Sequence, residues 1–296
     1  MNLERRHLVG RGVAGLALLG LAPLAGAQGT PPTGAQGTPA PGADYKPAIG
    51  QPGKDVIWVP TQPAMVERML RMAQVTSGDV VVDLGSGDGR IPIAAAREFG
   101  ARARGIEYNG DLVALSRRLA AQAGVGGRAT FEQADLFGID FSDATVVTMF
   151  LLPSLLQRLR PILQKMKPGT RLVANQFDLG DWEPDEDSDI GGRLCHLWIV
   201  PARAGGRWKI DIPATRSFDL ALTQAFQRVL GWVTLAQGRG GLRDVRLTGE
   251  RLRFALVDDK GLLFEFDGRI SGTQLRGDVR IAGGAPAPFT GERTGD

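Results

Sequence analysis

Cysteine is almost absent from this chain: Cys195 stands alone among 296 residues. A lone thiol excludes an internal disulfide, and its place inside an apolar run reads as a buried strand residue rather than a nucleophile. Histidine is nearly as scarce. His7 lies in a charged N-terminal stretch and His196 in a predicted strand, so no His/Cys cluster is available to hold a metal. No basic patch carries interleaved aromatics, which argues against nucleic acid as a partner. The formal net charge of +3 falls close to zero without the N-terminal segment that holds Arg5, Arg6 and Arg11. What is plentiful is ordinary globular composition: 43% hydrophobic and 23% charged residues, on a chain long enough for a sizeable core.

The N-terminus has a charged start, an apolar stretch at 12–25 (GVAGLALLGLAPLA) and a small-x-small site at Ala25-Gly26-Ala27. That pattern is a secretory signal, expected to span 1–27. The apolar stretch is shorter than the ~20 residues of a spanning helix, so no stable membrane span is expected once the signal is cleaved. Arg5-Arg6-His7-Leu8-Val9 also resembles a twin-arginine signal, whose receptor exports folded proteins. Export, to the periplasm, is the expected localisation. Residues 28–53 are rich in Gly, Pro, Ala and Thr with a near-repeat of GAQGTP, which reads as a flexible linker.

Residues 54–213 alternate strand and helix signals. PAMVERMLRMAQV (63–75) has helical spacing, with Thr61 as its expected cap. DVVVDL is a continuous apolar run, as in a strand buried on both faces. Five β/α alternations are read in all, with Asp111 as the expected cap of one helix and an interruption at Pro161 in another. LCHLWIVPA and RWKIDIP, joined at 203–206, are expected to close the sheet as a hairpin. The pattern implies an α/β fold with a doubly wound, mainly parallel Rossmann-like sheet. From 214 to 296 the residues alternate apolar and polar between Gly-containing turns, predicting a separable all-β antiparallel meander or small barrel of roughly six to eight strands.

VVVDLGSGDGR (80–90) is where a buried strand stops and the backbone must come close to something. Gly85, Gly87 and Gly89 permit a sharp turn and a close approach without a Cβ in the way. In a doubly wound sheet, ligands bind outside the carboxyl ends of the strands. Glu107, 24 residues after Asp83 at the end of the next strand, is placed to accept both hydrogen bonds of a ribose diol. An NAD site uses G-x-G-x-x-G so that a pyrophosphate rests on a helix N-terminus. Here the third glycine comes one residue early, and Asp83 and Asp88 set negative charge where the diphosphate would lie. S-adenosylmethionine has an ammonium and a sulfonium and no phosphate, and suits an acidic glycine loop.

DLGSGDGR with GIEYN, ADLF and the closing hairpin resembles the class I S-adenosylmethionine-dependent methyltransferases. WVPT (58–61), DLGSGDGRIPIAAA, GIEYNGDLVALSR, ADLF and MFLLPS are similar to the mitochondrial protein-lysine methyltransferases of the ATP synthase c-subunit and the adenine nucleotide translocase, and to bacterial relatives. The resemblance covers about residues 54–185. It implies S-adenosylmethionine as cofactor, with Asp83, Gly85, Ser86, Gly87 and Gly89 about its methionine portion and Glu107 on the ribose. Asp135 and Leu136 would meet the adenine, with Tyr108 and Asn109 lining the same edge. It also implies a substrate loop after the fourth strand, at Leu152, Pro153 and Ser154. Pro60 and Thr61 of WVPT are candidates to cover the methyl group, and Asn175 ends the fifth strand on the same rim. Ser154 also fits a helix cap.

Methyl transfer needs alignment of the nucleophile, exclusion of water and removal of one proton. The expected substrate is a protein lysine or another amine. Asp178–Asp189 holds seven carboxylates in twelve residues and reads as a solvated loop or as an electrostatic funnel for a cationic acceptor. The alternative, from another class, is an exported binding protein whose methyltransferase fold binds cofactor without turnover and whose β domain binds a ligand or partner.

Overall fold

The computed structural model describes residues 45–296. The expected signal at 1–27 and the first part of the expected linker, to 44, lie outside the described residues.

A run of valines that must be buried on both faces finds that burial as the central strand β1 (Val80–Leu84) of a seven-stranded sheet. Parallel to it lie β2 (Arg102–Glu107), β3 (Ala129–Gln133), β4 (Val146–Met149) and β5 (Arg171–Asn175). Two antiparallel strands, β6 (Glu186–Ile190) and β7 (Arg193–Ile199), complete the order β3-β2-β1-β4-β5-β7-β6. The order reverses beside β1, so a crevice opens between the carboxyl ends of β1 and β4. Among the described residues four helices flank the sheet: α1 (Pro63–Met72) before β1, then α2 (Arg90–Phe99), α3 (Gly110–Gln122) and α4 (Pro153–Leu163) between strands. On one face Met69, Leu70 and Ala95 bury against Val81, Val173 and Leu197; on the other Leu156, Leu159 and Trp198 cover Val82 and Leu84.

Several local expectations are corrected. The cap of α1 is Gln62, with no side-chain bond; Thr61 is buried, and its carbonyl accepts from Arg90 Nη1 at 2.6 Å. Asn109, not Asp111, caps α3, its Oδ1 accepting from the amides of Asp111 and Leu112. Leu152 caps α4, with Pro153 in the first turn, so Ser154 does not cap, and the helix continues through Pro161 to Leu163. The hairpin that closes the sheet is β6–β7, turning at Gly191 and Gly192, both with positive φ. The acidic stretch thus supplies an edge strand, where charge prevents pairing with other chains.

RWKIDIP belongs to a second sheet. There β8 (Gly206–Ile212) pairs with β9 (Arg216–Ala225) on one side and β16 (Ala287–Gly295) on the other. With β10 (Arg228–Leu235), β11 (Gly238–Gly241), β12 (Arg243–Thr248), β13 (Arg251–Val257), β14 (Leu263–Ser271) and β15 (Gln274–Ile281) it forms nine antiparallel strands, more than the expected six to eight. β10 approaches β12, so the sheet is a nearly closed barrel. Its interior is filled by Trp208, Phe218, Phe254, Phe264, Phe266 and Phe289. The expected division after Pro213 falls on the far side of β8; the change of sheet lies between Ile199 and Gly206.

The two sheets share contacts. Trp182, fully buried, stacks on Phe226 with 5.6 Å between ring centroids and donates to Gln227 Oε1 at 3.0 Å. Gln227 Nε2 donates to the Glu183 carbonyl, Glu183 pairs with Arg228, and Ala202 N donates to the Gly249 carbonyl.

Candidate functional site

The residues after β1 form a tight loop because three of them are glycines with φ of +76, +55 and +80° at Gly85, Gly87 and Gly89. The amides of Gly85 and Ser86 both donate to the Ile106 carbonyl, and Ser116 Oγ of α3 donates to the Gly87 carbonyl at 2.9 Å. The glycines have different uses. A Cβ on Gly87 would stand 2.6 Å from Trp58 Nε1, whereas one on Gly89 would strike Phe131 and Ser116. Gly89 therefore serves helix–sheet packing, and Gly87 the approach of a covering segment.

A cavity of about 300 Å³ opens over this loop, at the small end of ordinary ligand pockets. Asp83, Gly85, Ser86, Gly87, Glu107, Tyr108, Asn109, Asp135, Leu136, Pro60, Thr61 and Leu152 all line it. Of the expected site residues, Gly89, Pro153, Ser154 and Asn175 do not. Asn175 is buried opposite Cys195, on the α1 face of the sheet.

Asp83 is 3% exposed, and its Oδ1 accepts from Thr148 Oγ1 at 2.6 Å. Burial pushes its pKa up to about 7, the nearby carboxylates of Glu107 and Asp88 push the same way, and the Thr148 hydroxyl opposes them. Asp88 itself is held bidentately by Arg90, at 2.9 and 2.6 Å, so less of its charge faces the cavity than its position in the loop suggests. Glu107 accepts from Gly87 N through one oxygen and from Asn109 N through the other, both at 2.9 Å. Each oxygen keeps a lone pair, so the carboxylate shapes the loop and still has acceptor capacity for a diol. Asp135 accepts from Phe137 N at 3.0 Å and from Lys54 Nζ at 2.6 Å. Lys54 holds its carboxyl below the usual carboxylate range.

Sequence reasoning missed the residues that close the cavity. Lys54, Val56, Ile57 and Trp58 come from a stretch that straddles the expected linker boundary, and Phe150, Leu151 and Phe177 from the ends of β4 and β5. Tryptophan in a Gly/Pro-bounded run shortly before the first helix was the available signal for Trp58.

The acidic segment takes no part in this site; among its residues none lines the cavity. Its seven carboxylates are engaged locally. Asp181 pairs with Arg160, Glu183 with Arg228, Glu186 with Arg68 and Asp187 with His196. Asp178, Asp185 and Asp189 accept backbone amides of Gly180, Ile199 and Gly192. Arginines thus pair three of the seven carboxylates, and Asp178, Asp185 and Asp189 keep their charge beside neutral amides.

The family model of the ANTKMT methyltransferase domain matches residues 83–186. A protein-lysine N-methyltransferase of Saccharolobus islandicus is 44% identical over 151 residues, which are 49% of this chain and 94% of that protein. The chain belongs to this methyltransferase family. The mouse lysine N-methyltransferase of the ATP synthase C-subunit is 39% identical over 50% of this chain, and the mouse adenine nucleotide translocase lysine N-methyltransferase 40% identical over 51%. The chain spans 60% and 65% of those two proteins. A crystal structure of an RNA methyltransferase from Salinibacter ruber with S-adenosyl-L-homocysteine is 51% identical, covering 49% of this chain and 95% of that one, with a TM-score of 0.49. This enzyme is an S-adenosylmethionine-dependent methyltransferase. The lining suits that cofactor: the carboxylates of Asp83, Glu107 and Asp135 offer acceptors to its amines and hydroxyls, and Gly85 and Gly87 present backbone without a Cβ.

Proposed function

We propose that this methyltransferase acts on the side-chain amine of a protein lysine. The observation that carries the reading is a match to a protein-lysine N-methyltransferase along 94% of that relative, joined to a cavity with apolar side chains in its lining. Pro60, Phe150, Leu152 and Phe177 are among them. A lysine entering there leaves water behind, and desolvation favours the neutral amine over the ammonium. S-adenosylmethionine, when bound, supplies a methyl group on a sulfonium. Asp83 holds the methionine ammonium, Glu107 the ribose diol and Asp135 the adenine amine. Pro60 and Thr61 cover the methyl end, and the Leu152 loop receives the amine.

Incubation of the purified protein with lysine-bearing proteins and isotopically labelled S-adenosylmethionine tests the reading by mass spectrometry of the product. Methyl groups on lysine nitrogen are expected. A product methylated on oxygen, on sulfur or on RNA overturns the amine assignment. We further propose that residues 1–27 export the enzyme, on the sequence pattern alone; a fusion of residues 1–53 to a reporter that is active only in the periplasm checks it, and a wholly cytoplasmic reporter refutes it.

A further inference from the structure

The segment that crosses the cavity is a hairpin, not a linker. Gly50 N donates to the Trp58 carbonyl and Trp58 N to the Gln51 carbonyl, both at 2.9 Å, and Gly53 N closes the turn on the Val56 carbonyl at 2.8 Å. Pro52 and Ile57 pair across it. Its two anchorages fall on different loops that line the cavity, one after β1 and one after β3. Trp58 lies directly on Gly87, so that not even a methyl group fits between them. At the tip, Lys54 Nζ reaches Asp135 at 2.6 Å and stands 5.0 Å from the centre of the Tyr108 ring. Arg90 ties down the residues that follow, through the Thr61 carbonyl.

We propose that the hairpin Gly50–Trp58 is a lid that must open for the cofactor to enter and leave, with Lys54 on Asp135 as its latch. This rests on the cofactor reading of the same cavity. Lys54 and Asp135 are 38% and 41% exposed, so the latch is a weak, salt-screened pair, suited to repeated opening. Asp135 keeps lone pairs beyond the two it uses. An adenine amine and Lys54 therefore share one carboxylate, and the bound ligand helps to hold the lid shut. Trp58 sets the roof over the glycine loop.

The test measures S-adenosylhomocysteine release by stopped flow for the full chain and for Lys54→Met, together with hydrogen exchange of residues 50–58. Release from Lys54→Met should be about two- to fivefold faster, the range expected for one exposed ion pair. High salt should accelerate release from the wild-type protein and leave Lys54→Met unaffected. The amides of Gly50, Gly53 and Trp58 should exchange more slowly with ligand than without it, and the slowing should be smaller in the variant. If the wild-type protein binds the ligand but Lys54→Met shows the same release rate and salt response, or the hairpin amides are indifferent to ligand, the latch is overturned while the cofactor reading stands. If neither protein binds, the cofactor reading fails and takes the lid with it.

Discussion

Asp83 shows how one buried side chain couples pH to ligand. Its folded pKa, about 7, lies above the ordinary carboxylate value, so the ligand-free protein is stabilised by a protonated Asp83. That contribution is complete below the unfolded pKa, near 4, and is lost as pH rises through 7. The ammonium of the cofactor reverses the preference, because a nearby positive charge favours the ionised form. Affinity for S-adenosylhomocysteine should therefore rise about tenfold between pH 6 and 8, with a proton released on binding near neutrality. Calorimetry in buffers of different ionisation enthalpy reads that proton. Asp83→Asn should bind more weakly and lose the pH dependence; an unchanged profile would remove Asp83 from the ammonium site. Glu107 carries two duties, so its substitutions separate them. Glu107→Ala orphans the amides of Gly87 and Asn109 as well as the diol, and should weaken cofactor binding by roughly 1.5–3 kcal/mol. Gly87→Val fails for a reason other than a blocked ligand path alone: φ is +55° and Trp58 occupies the space.

The elements were legible where periodicity and burial agree. The valine run, the glycine loop and the acid 24 residues on all lie where a buried central strand and its neighbour put them, and they bring Asp83 and Glu107 to one cavity. What could not be read has physical causes. EDSDI has no apolar face, because an edge strand needs none, so β6 was invisible as a strand. Gly50–Trp58 is held by main-chain bonds and by contact with a distant loop, neither of which leaves a pattern in sequence. RWKIDIP is a true strand whose partners lie in another sheet, and alternation says nothing of partners. The strand character of the acidic segment changes its expected chemistry. Asp185→Asn, Glu186→Gln and Asp187→Asn together break the ion pair with Arg68, which at an exposed site contributes about 0.2–1 kcal/mol, and weaken the hydrogen bond between Asp187 and His196. The triple variant should lose a few degrees in melting temperature and keep wild-type cofactor affinity, with an unchanged Michaelis constant for the acceptor. A raised acceptor constant with an unchanged melting temperature would restore the funnel.

At the scale of the whole molecule, the question is what the barrel gives the methyltransferase. The Saccharolobus relative is matched along 94% of its length by 49% of this chain, and the family model falls on residues 83–186, within the first sheet and its helices. In this chain that unit and the barrel are joined by Trp182 on Phe226 and by Gln227 and Arg228 on Glu183, contacts beside α4 and β5 rather than in the cavity. Removal of the barrel should thus spare cofactor binding, but the place of the cut decides the outcome. A chain ending at Pro213 keeps β8 and strips it of β9 and β16, exposing Trp208, Ile210 and Ile212, three side chains buried to 2% or less. At about 25 cal/mol per Å² of apolar surface, three such side chains represent several kcal/mol of lost burial, and that protein should aggregate. A chain ending near Pro201 removes β8 with its sheet and uncovers Trp182, Glu183 and the surface at Gly169 and Ile199. It should remain monomeric, melt at a lower temperature, and bind S-adenosylhomocysteine within about threefold of the full chain, since a factor of three is well under the ~1.4 kcal/mol of a tenfold change. Size-exclusion chromatography and calorimetry on the two truncations distinguish the cases. A chain ending at Pro201 that folds but no longer binds would show that the barrel shapes the cofactor cavity from a distance, through β5 and α4.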